Sequence, residues 1–511
     1  MAIRCTNLIL LTIIASISSA LRPNMIIFLA DDVGYGDLKS YGHPTQEWGP
    51  IDDLAEEGMK FTSLYSTSSL CSPSRAALLT GRLPIRIGVY GKLMNFYLQS
   101  PNGLPKDEIT LPEILRDVGY ATGMVGKWHL GINDYTPMSG VHLPHYHGFD
   151  WVGTNLPYTN VWECDETKRH MDAPDPFNCF MYNNETIIQQ PFSHQHLTKT
   201  FVDEVSTFIK QQTEKDKPFF LYLSFVHNHV AMFTGKDTKF TSRRGIYGAG
   251  IRELSWGVGE IMKKIKSLGI DNNTLIFFTS DNGGHIELCS EGGNNGILKG
   301  GKANYYEGGI RVPGILRWPG QISAGTINSN IVSQMDTFTT FVNLAGGKAP
   351  SDRVIDGRDI TQQIFGSLKL KNETKTEKRI LFFYCNDMLF AVRYGSYKVH
   401  FYTMPVKSKE EYTDTCGEGG FPSTMYFNCL YCPSDCVIKH DPPLIFNVDA
   451  DPGEEYQLDP ALHKLLLLEV KYLLEKHNSG WIKGEDLLSA YNQPSQPCCD
   501  SSKPSCSCNY P

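Results

Sequence analysis

Short, almost wholly apolar runs recur along this chain, and each is preceded or followed by a stretch with helical periodicity. They are NMIIFLA (24–30), ATGMVGK (121–127), PFFLYLSFV (218–226) and TLIFFTS (274–280). Runs this short without polar alternation are buried on both faces, as in a parallel sheet covered by helices on either side. TLPEILRDVGY leads into the second run and LTKTFVDEVSTFIKQQ into the third. Before the fourth, Ile251, Leu254, Val258, Ile261, Ile265 and Leu268 recur three and four apart, one apolar stripe on a long helix. The pattern predicts an α/β fold with a mostly parallel sheet sandwiched by helices.

Each run ends in residues able to do chemistry: Asp31-Asp32, Lys127-Trp128-His129, His227-Asn228-His229 and Asp281-Asn282. Asp and Asn are common turn residues, so one such end means little. Open α/β sheets bind ligands beyond the carboxyl ends of their strands, and four reactive ends together point to one site. Asp31, Asp32, Asp281 and Asn282 offer oxygen only, which suits calcium or magnesium better than zinc. Arg75, Lys127, His129, His229 and Lys302 are candidates for gripping an anion and moving protons. Lys302 lies in KGGKANYYEGG, whose glycines allow close backbone approach. Alternation along an extended strand end would turn His227 and His229 the same way. His229 is preferred for catalysis, with His227 structural or substrate-facing.

The character changes near residue 376. RILFFYCNDMLFAVRYGSYKVHFY reads as antiparallel strands with a Gly-Ser turn, PLIFNVDADPGEEYQL as a strand and turn, and ALHKLLLLEVKYLLEKH as a helix. The expected organisation is a signal peptide at 1–20, a catalytic domain at 21–375, and a smaller α+β subdomain with a Cys-rich tail at 376–511. The polar SLKLKNETKTEK marks the boundary.

Arg4, the apolar LILLTIIASI and the small residues SSA make the N-terminus read as a secretory signal. No later stretch approaches the length of a membrane span. The 511 residues carry a net charge of −8, which argues against a nucleic-acid partner. A homo-oligomer is left open. Of 14 cysteines, setting aside Cys5 and Cys71 leaves an even number, which reads as disulfides in an oxidising, lysosomal or secreted setting. Cys429-x-x-Cys432 is also half of a possible zinc site. Asn184, Asn272 and Asn372 head glycosylation sequons. Cys71 itself has three readings: a disulfide partner, a thiolate activated by a helix N-terminus and Arg75, or the precursor of another group.

The third reading comes with a family. CSPSRAALLTGR (71–82) resembles the first signature of the sulfatases and GYATGMVGKWHLG (119–131) the second. LADDVGYGDL, FTSDNGGH, GGKANYYEGGIRVPGILRWPG and DADPGEEYQL extend the resemblance over nearly the whole mature chain. It implies an alkaline-phosphatase-like fold and the hydrolysis of sulfate esters. It also implies that a formylglycine-generating enzyme oxidises Cys71, with Pro73 and Arg75 as recognition elements. One hydroxyl of the hydrated aldehyde attacks sulfur and the other expels sulfate. Carried over by motif, Asp31, Asp32, Asp281, Asn282 and the hydrated residue 71 bind one calcium ion. Arg75 and Lys127 hold the hydrate, and His129 orients or deprotonates it. His229 and Lys302 bind sulfate and assist the leaving oxygen, and Thr159 stands near the sulfate. The tail CCDSSKPSCSCNYP resembles arylsulfatase A, whereas NCFMYNNETIIQQP and the stretch from NNGILKGGKAN to RWPG look closer to steryl-sulfatase. The charged WECDETKRHMDAPDPF stands where steryl-sulfatase has its membrane hairpin. CSPSRAALLTGRLPIR is shared with galactosamine-6-sulfatases, so a glycosaminoglycan substrate stays open beside aryl, steroid and glycolipid sulfates. Two other functions are weighed: a phosphatase or phosphodiesterase on the same scaffold, which would use Ser or Thr where Cys71 stands, and a non-catalytic secreted protein.

Overall fold

The structure is a computed structural model that describes residues 22–161, 164, 179–366, 378–406, 416, 432, 435–480, 482–500, 502–503, 506 and 508–509. The expected signal peptide, Asn372 and Cys429 lie outside these residues, as does nearly all of the boundary segment.

The predicted buried runs form β1 (Asn24–Ala30), β3 (Ala121–Lys127), β7 (Phe219–Ser224) and β8 (Thr274–Ser280), with β2 (Met59–Tyr65), β4 (Trp151–Leu156), β5 (Met181–Asn183) and β6 (Thr186–Gln190) between them. β9 (Arg311–Arg317), β10 (Thr326–Asn328) and β11 (Val332–Ser333) follow. Together with β16 (Cys508–Asn509) they make one sheet in the order β10-β2-β9-β8-β1-β7-β3-β4-β5-β6-β16, with β11 alongside β2. The centre, β8-β1-β7-β3-β4, is parallel throughout. β9 is antiparallel to β8 and β2, and β5, β6 and β16 are antiparallel at the other edge.

Two-sided burial explains the apolar runs. Ile26, Phe28 and Ala30 of β1 face one core with α1 (Pro50–Glu56), α4 (Leu197–Glu214) and α5 (Gly245–Ser267). Met25, Ile27 and Leu29 face the other, with α2 (Cys71–Thr80), α3 (Leu111–Asp117) and α6 (Met335–Leu344). Alternate side chains of one strand therefore feed both layers. β1 is central, and the chain leaves it for β2 on one side and reaches β3 on the other. That reversal opens a crevice at the carboxyl ends of the strands.

Beyond residue 378, β12 (Ile380–Cys385), β13 (Met388–Tyr394), β14 (Tyr397–Thr403) and β15 (Ile438–Asn447) form an antiparallel sheet, with the expected turn at Gly395-Ser396. α7 (Lys464–Ser479) covers one face through Val470, against Val392 and Val399. Phe383, Phe390 and Ala391 pack with Tyr65 and Leu70 of the first layer. The tail then returns to the large sheet, where Leu488 enters its core and β16 extends the edge at β6.

Cysteine pairing follows the even count: Cys164–Cys179, Cys289–Cys416, Cys385–Cys432, Cys498–Cys506 and Cys499–Cys508 are bonded, and Cys436 is also in a disulfide. The zinc half-site is overturned, because the Cys432 sulfur is already bonded to Cys385. Among the described residues Cys71 is the free cysteine. Asn184 and Asn272 are exposed, as a glycan acceptor must be.

Candidate active site

β1, β3 and β8 end at Ala30, Lys127 and Ser280, so Asp31, Asp32, His129, Asp281 and Asn282 follow immediately at one rim of the sheet. Cys71 arrives from across the chain as the first residue of α2, which runs wholly buried into the layer. Pro73 sits in its first turn, where a missing N–H costs nothing. The Ser72 N–H of that turn donates to Asn95 Oδ1 at 2.9 Å, and Ser72 Oγ donates to the His129 carbonyl at 2.7 Å, tying helix to strand end.

Ligand atoms of Asp31, Cys71 and Asp281 lie within 4.8 Å of one another. Lys127 Nζ stands 2.7 Å from Asp31 Oδ2, and Lys302 Nζ 2.7 Å from Asp32 Oδ2. Burial alone would raise both carboxyl pKa values. For Asp31 it is outweighed by Lys127, His229 and Arg75, and for Asp32 by Lys302 and His229, so both sit below the ordinary range. Asn282 Nδ2 donates to Asp32 Oδ1 at 2.7 Å and to the Gly283 carbonyl, leaving Oδ1 buried without a hydrogen-bond partner. A buried acceptor left bare among carboxylates is costly unless something positive meets it. The oxygens of Asp31, Asp32 and Asp281 and this orphan oxygen of Asn282 fit a hard divalent cation.

Arg75 has partners other than the anion expected from sequence. Its Nε and NH2 donate to Asp281 Oδ2 at 3.1 and 2.7 Å, and NH1 donates to Ser224 Oγ at 2.6 Å and the Lys127 carbonyl. Its planar fork fixes Asp281 and the ends of two strands.

His129 Nε2 lies 3.0 Å from the Phe96 carbonyl, which accepts, so the nitrogen carries the proton. Nδ1 is therefore a lone pair, buried and without a protein partner. Burial, then Lys127 and Arg75, press the His129 pKa far down, keeping the ring neutral. His229 Nδ1 donates to the Val230 carbonyl and Nε2 faces Asp32 Oδ2 at 3.8 Å. Burial and Lys302 lower its pKa as well, against Asp31 and Asp32. The expected common orientation of His227 and His229 is not found. β7 stops at Ser224, the two histidines fall in the following turn, and the His227 ring packs on Phe233 with centroids 4.4 Å apart. Thr159 Oγ1 is buried without a partner in the segment after β4, next to Tyr158, whose ring meets His129 edge-on at 5.1 Å.

Burial pushes the Cys71 thiol up to about 12, with Lys127 and Lys302 opposing, so the thiolate reading fails on charge. Sequence reasoning passed over His285, three residues beyond Asn282 in a stretch already singled out. It is buried, and burial followed by Lys302 brings its pKa to about 3. Gln334 was also missed. Its amide bridges the Ser280 carbonyl and Thr279 Oγ1, and its Oε1 accepts from Ser74 Oγ.

A family model described as sulfatase matches residues 23–347, and one described as the C-terminal region of aryl-sulfatase matches 376–508. An arylsulfatase of Hemicentrotus pulcherrimus is 46% identical, the match covering 96% of this chain and 87% of the relative. A steryl-sulfatase of Homo sapiens is 36% identical over 96% of this chain and 94% of its own. The crystal structure of the PsFucS1 sulfatase from Pseudoalteromonas sp. superposes with a TM-score of 0.73 at 26% identity, covering 90% of each chain. Catalysis of sulfate-ester hydrolysis accounts for the buried cations, the bare acceptors and the free Cys71 together, and the chain belongs to the sulfatase family.

Proposed function

We propose that this enzyme is an arylsulfatase-type hydrolase in which Asp31, Asp32, Asp281, Asn282 and residue 71 hold one calcium ion. The observation that carries the reading is the buried, unpartnered Asn282 Oδ1 beside Asp32. Bound there, the cation would supply a fixed positive charge against the reacting oxygens. Formylglycine made from Cys71 would supply a hydrated aldehyde that takes the sulfuryl group and later releases it as sulfate.

The chain's own residues do the rest. Arg75 holds Asp281, and Lys127 holds Asp31 and orients the hydrate. His129 Nδ1, a bare lone pair on a neutral ring, accepts the hydrate proton, its tautomer set by the Phe96 carbonyl. Lys302 stabilises the leaving oxygen and, as an ammonium, delivers its proton, while His229 stands beside it as a neutral ring whose Nδ1–H is held by the Val230 carbonyl. Thr159 Oγ1 donates to a sulfate oxygen. Three buried cations face three carboxylates, so these side chains balance one another and the charge of a bound metal would favour an anionic ester.

No helix among the described residues is long and apolar enough to cross a membrane. The charged WECDETKRHMDAPDPF in place of the hairpin favours an aryl or sugar sulfate over a substrate drawn from a bilayer. The disulfides and the Cys71-x-Pro73-x-Arg75 sequence favour a lysosomal or secreted enzyme matured by the formylglycine-generating enzyme. Turnover of 4-nitrophenyl sulfate by protein from a eukaryotic host, with metal content by plasma mass spectrometry, tests the reading. Near-stoichiometric calcium lost on Asn282→Ala is expected. A fully active, calcium-free preparation would sink it.

A further inference from the structure

Lys302 is carried by the loop 299–309, and this loop is gripped from two sides. Toward the reaction centre, the Lys302 N–H donates to the Gly284 carbonyl at 3.1 Å and the Ala303 N–H to the Ser69 carbonyl at 3.0 Å, two residues before Cys71. On the far side the grip comes from the C-terminal subdomain. Glu454 Oε2 accepts the Glu307 N–H at 2.6 Å, and the Glu454 carbonyl accepts from Lys299 Nζ at 3.3 Å. One residue thus touches both ends of the loop.

Glu454 is itself held hard. Its Oε1 lies 2.6 Å from His400 Nε2 and 3.6 Å from Lys398 Nζ, and Lys398 reaches Glu307 Oε1 at 3.0 Å. The side chains of Glu454, Glu307 and Lys398 are 0% exposed. Glu454 also adopts φ 51°, a left-handed conformation that side-chain-bearing residues rarely take unless their surroundings impose it. Well-packed apolar residues commonly serve stability as well as buried ions do. A dry, charged and strained contact that ends on a reactive lysine's loop is better explained by geometry than by stability.

We propose that Glu454 is a positioning residue for Lys302: through Glu307 and Lys299 it fixes the loop so that the lysine ammonium meets the leaving oxygen. This rests on the reading of Lys302 given above. The C-terminal subdomain thereby contributes to the reaction without touching the substrate.

The test is a double-mutant cycle on metal-loaded, formylglycine-bearing enzyme. kcat and KM are measured for aryl sulfates whose phenols span a range of leaving-group pKa. Glu454→Gln keeps the size and an acceptor for Glu307 N–H but removes the charge facing Lys398 and His400. It is expected to lower kcat roughly 10- to 100-fold with little change in KM, the loss growing as the leaving group worsens. In a Lys302→Ala background the same change should cost less than about twofold. Lys299→Met, at a half-buried position, repeats the test if Glu454→Gln does not fold, and should show the same trend at smaller size. An equal loss for every leaving group, or an undiminished effect without Lys302, overturns the proposal and leaves Glu454 a general strut. If Lys302→Ala leaves the leaving-group dependence unchanged, the assignment of Lys302 fails first and this proposal with it.

Discussion

Lys127 Nζ lies 2.7 Å from Asp31 Oδ2, and both side chains are completely shielded from solvent. An ion pair this deep is paid for in desolvation, and removing one partner strands the other. Arg75 NH2 at 3.5 Å from Asp31 Oδ1 is too long to replace it. Lys127→Met should therefore lose about 3–5 kcal/mol of stability as well as turnover. Lys127→Met/Asp31→Asn, which removes both charges, should recover most of the stability and none of the activity. Urea unfolding of the three proteins, read against wild type, checks both halves.

The carboxylate rim also predicts a linkage to metal. Asp32 and Asp281 hold their geometry through Lys302, Arg75 and the Asp32 N–H, which donates to Asp281 Oδ1 at 3.2 Å. Calcium binding should therefore raise the melting temperature in step with RT ln(1 + [Ca]/Kd). Asp281→Ala should abolish the rise together with catalysis. A calcium-dependent melting curve retained by that variant would show that the ion sits elsewhere.

Much of this site could be read from the sequence because strand ends are local. A buried run stops, and the next polar residues stand at the rim, as Asp31, Lys127 and Asp281 do. Contacts that depend on residues far apart could not be read this way. Glu307 meets Lys398 across 91 positions and Glu454 across 147, and no periodicity links them. Strand direction was equally hidden: beyond Arg311, β9 is as fully buried as β8 yet runs antiparallel to it. The tail signalled disulfides but not the edge on which β16 lands, because two residues of strand carry no face pattern. His227 and His229 failed for a related reason, since alternation holds only while the chain stays extended, and it turns after Ser224.

His147 sets an acid limit. It is buried beside Trp128 and His142, and its Nε2 has no hydrogen-bond partner. Burial, then His142 and Lys106, bring its pKa down to about 3. Unfolded, it takes up a proton near its ordinary value of about 6.5. The unfolded chain therefore binds more protons below that pH. Stability is complete above about 6.5 and falls toward pH 3, by up to about 1.4 kcal/mol per pH unit for this group. His147→Phe, which keeps the ring stack, should flatten the melting-temperature profile between pH 6 and 4, values bracketed by the about 6.5 and about 3 above. An unchanged slope would assign the acid limit to other groups.

The glycines of the Lys302 loop give a steric prediction. A Cβ on Gly309 would lie 1.8 Å from the Asn304 carbonyl oxygen and 2.5 Å from that of Gly301. Both are backbone atoms, so no side chain can swing away to make room. Gly309→Ala must displace the loop between Gly301 and Asn304, which includes Lys302. The N–H of Gly283, next to Asn282, donates to the Gly309 carbonyl at 3.0 Å, so the shift also reaches the proposed metal ligand Asn282. kcat/KM on 4-nitrophenyl sulfate should fall roughly 100-fold, the scale expected when a reacting group moves by about 1 Å. Gly480→Ala, at φ −103° and with open space around its Cβ, is the control for expression and handling and should stay near wild type in activity. If Gly309→Ala retains full activity, the loop has room to give, and Lys302 is not held as tightly as its two grips imply.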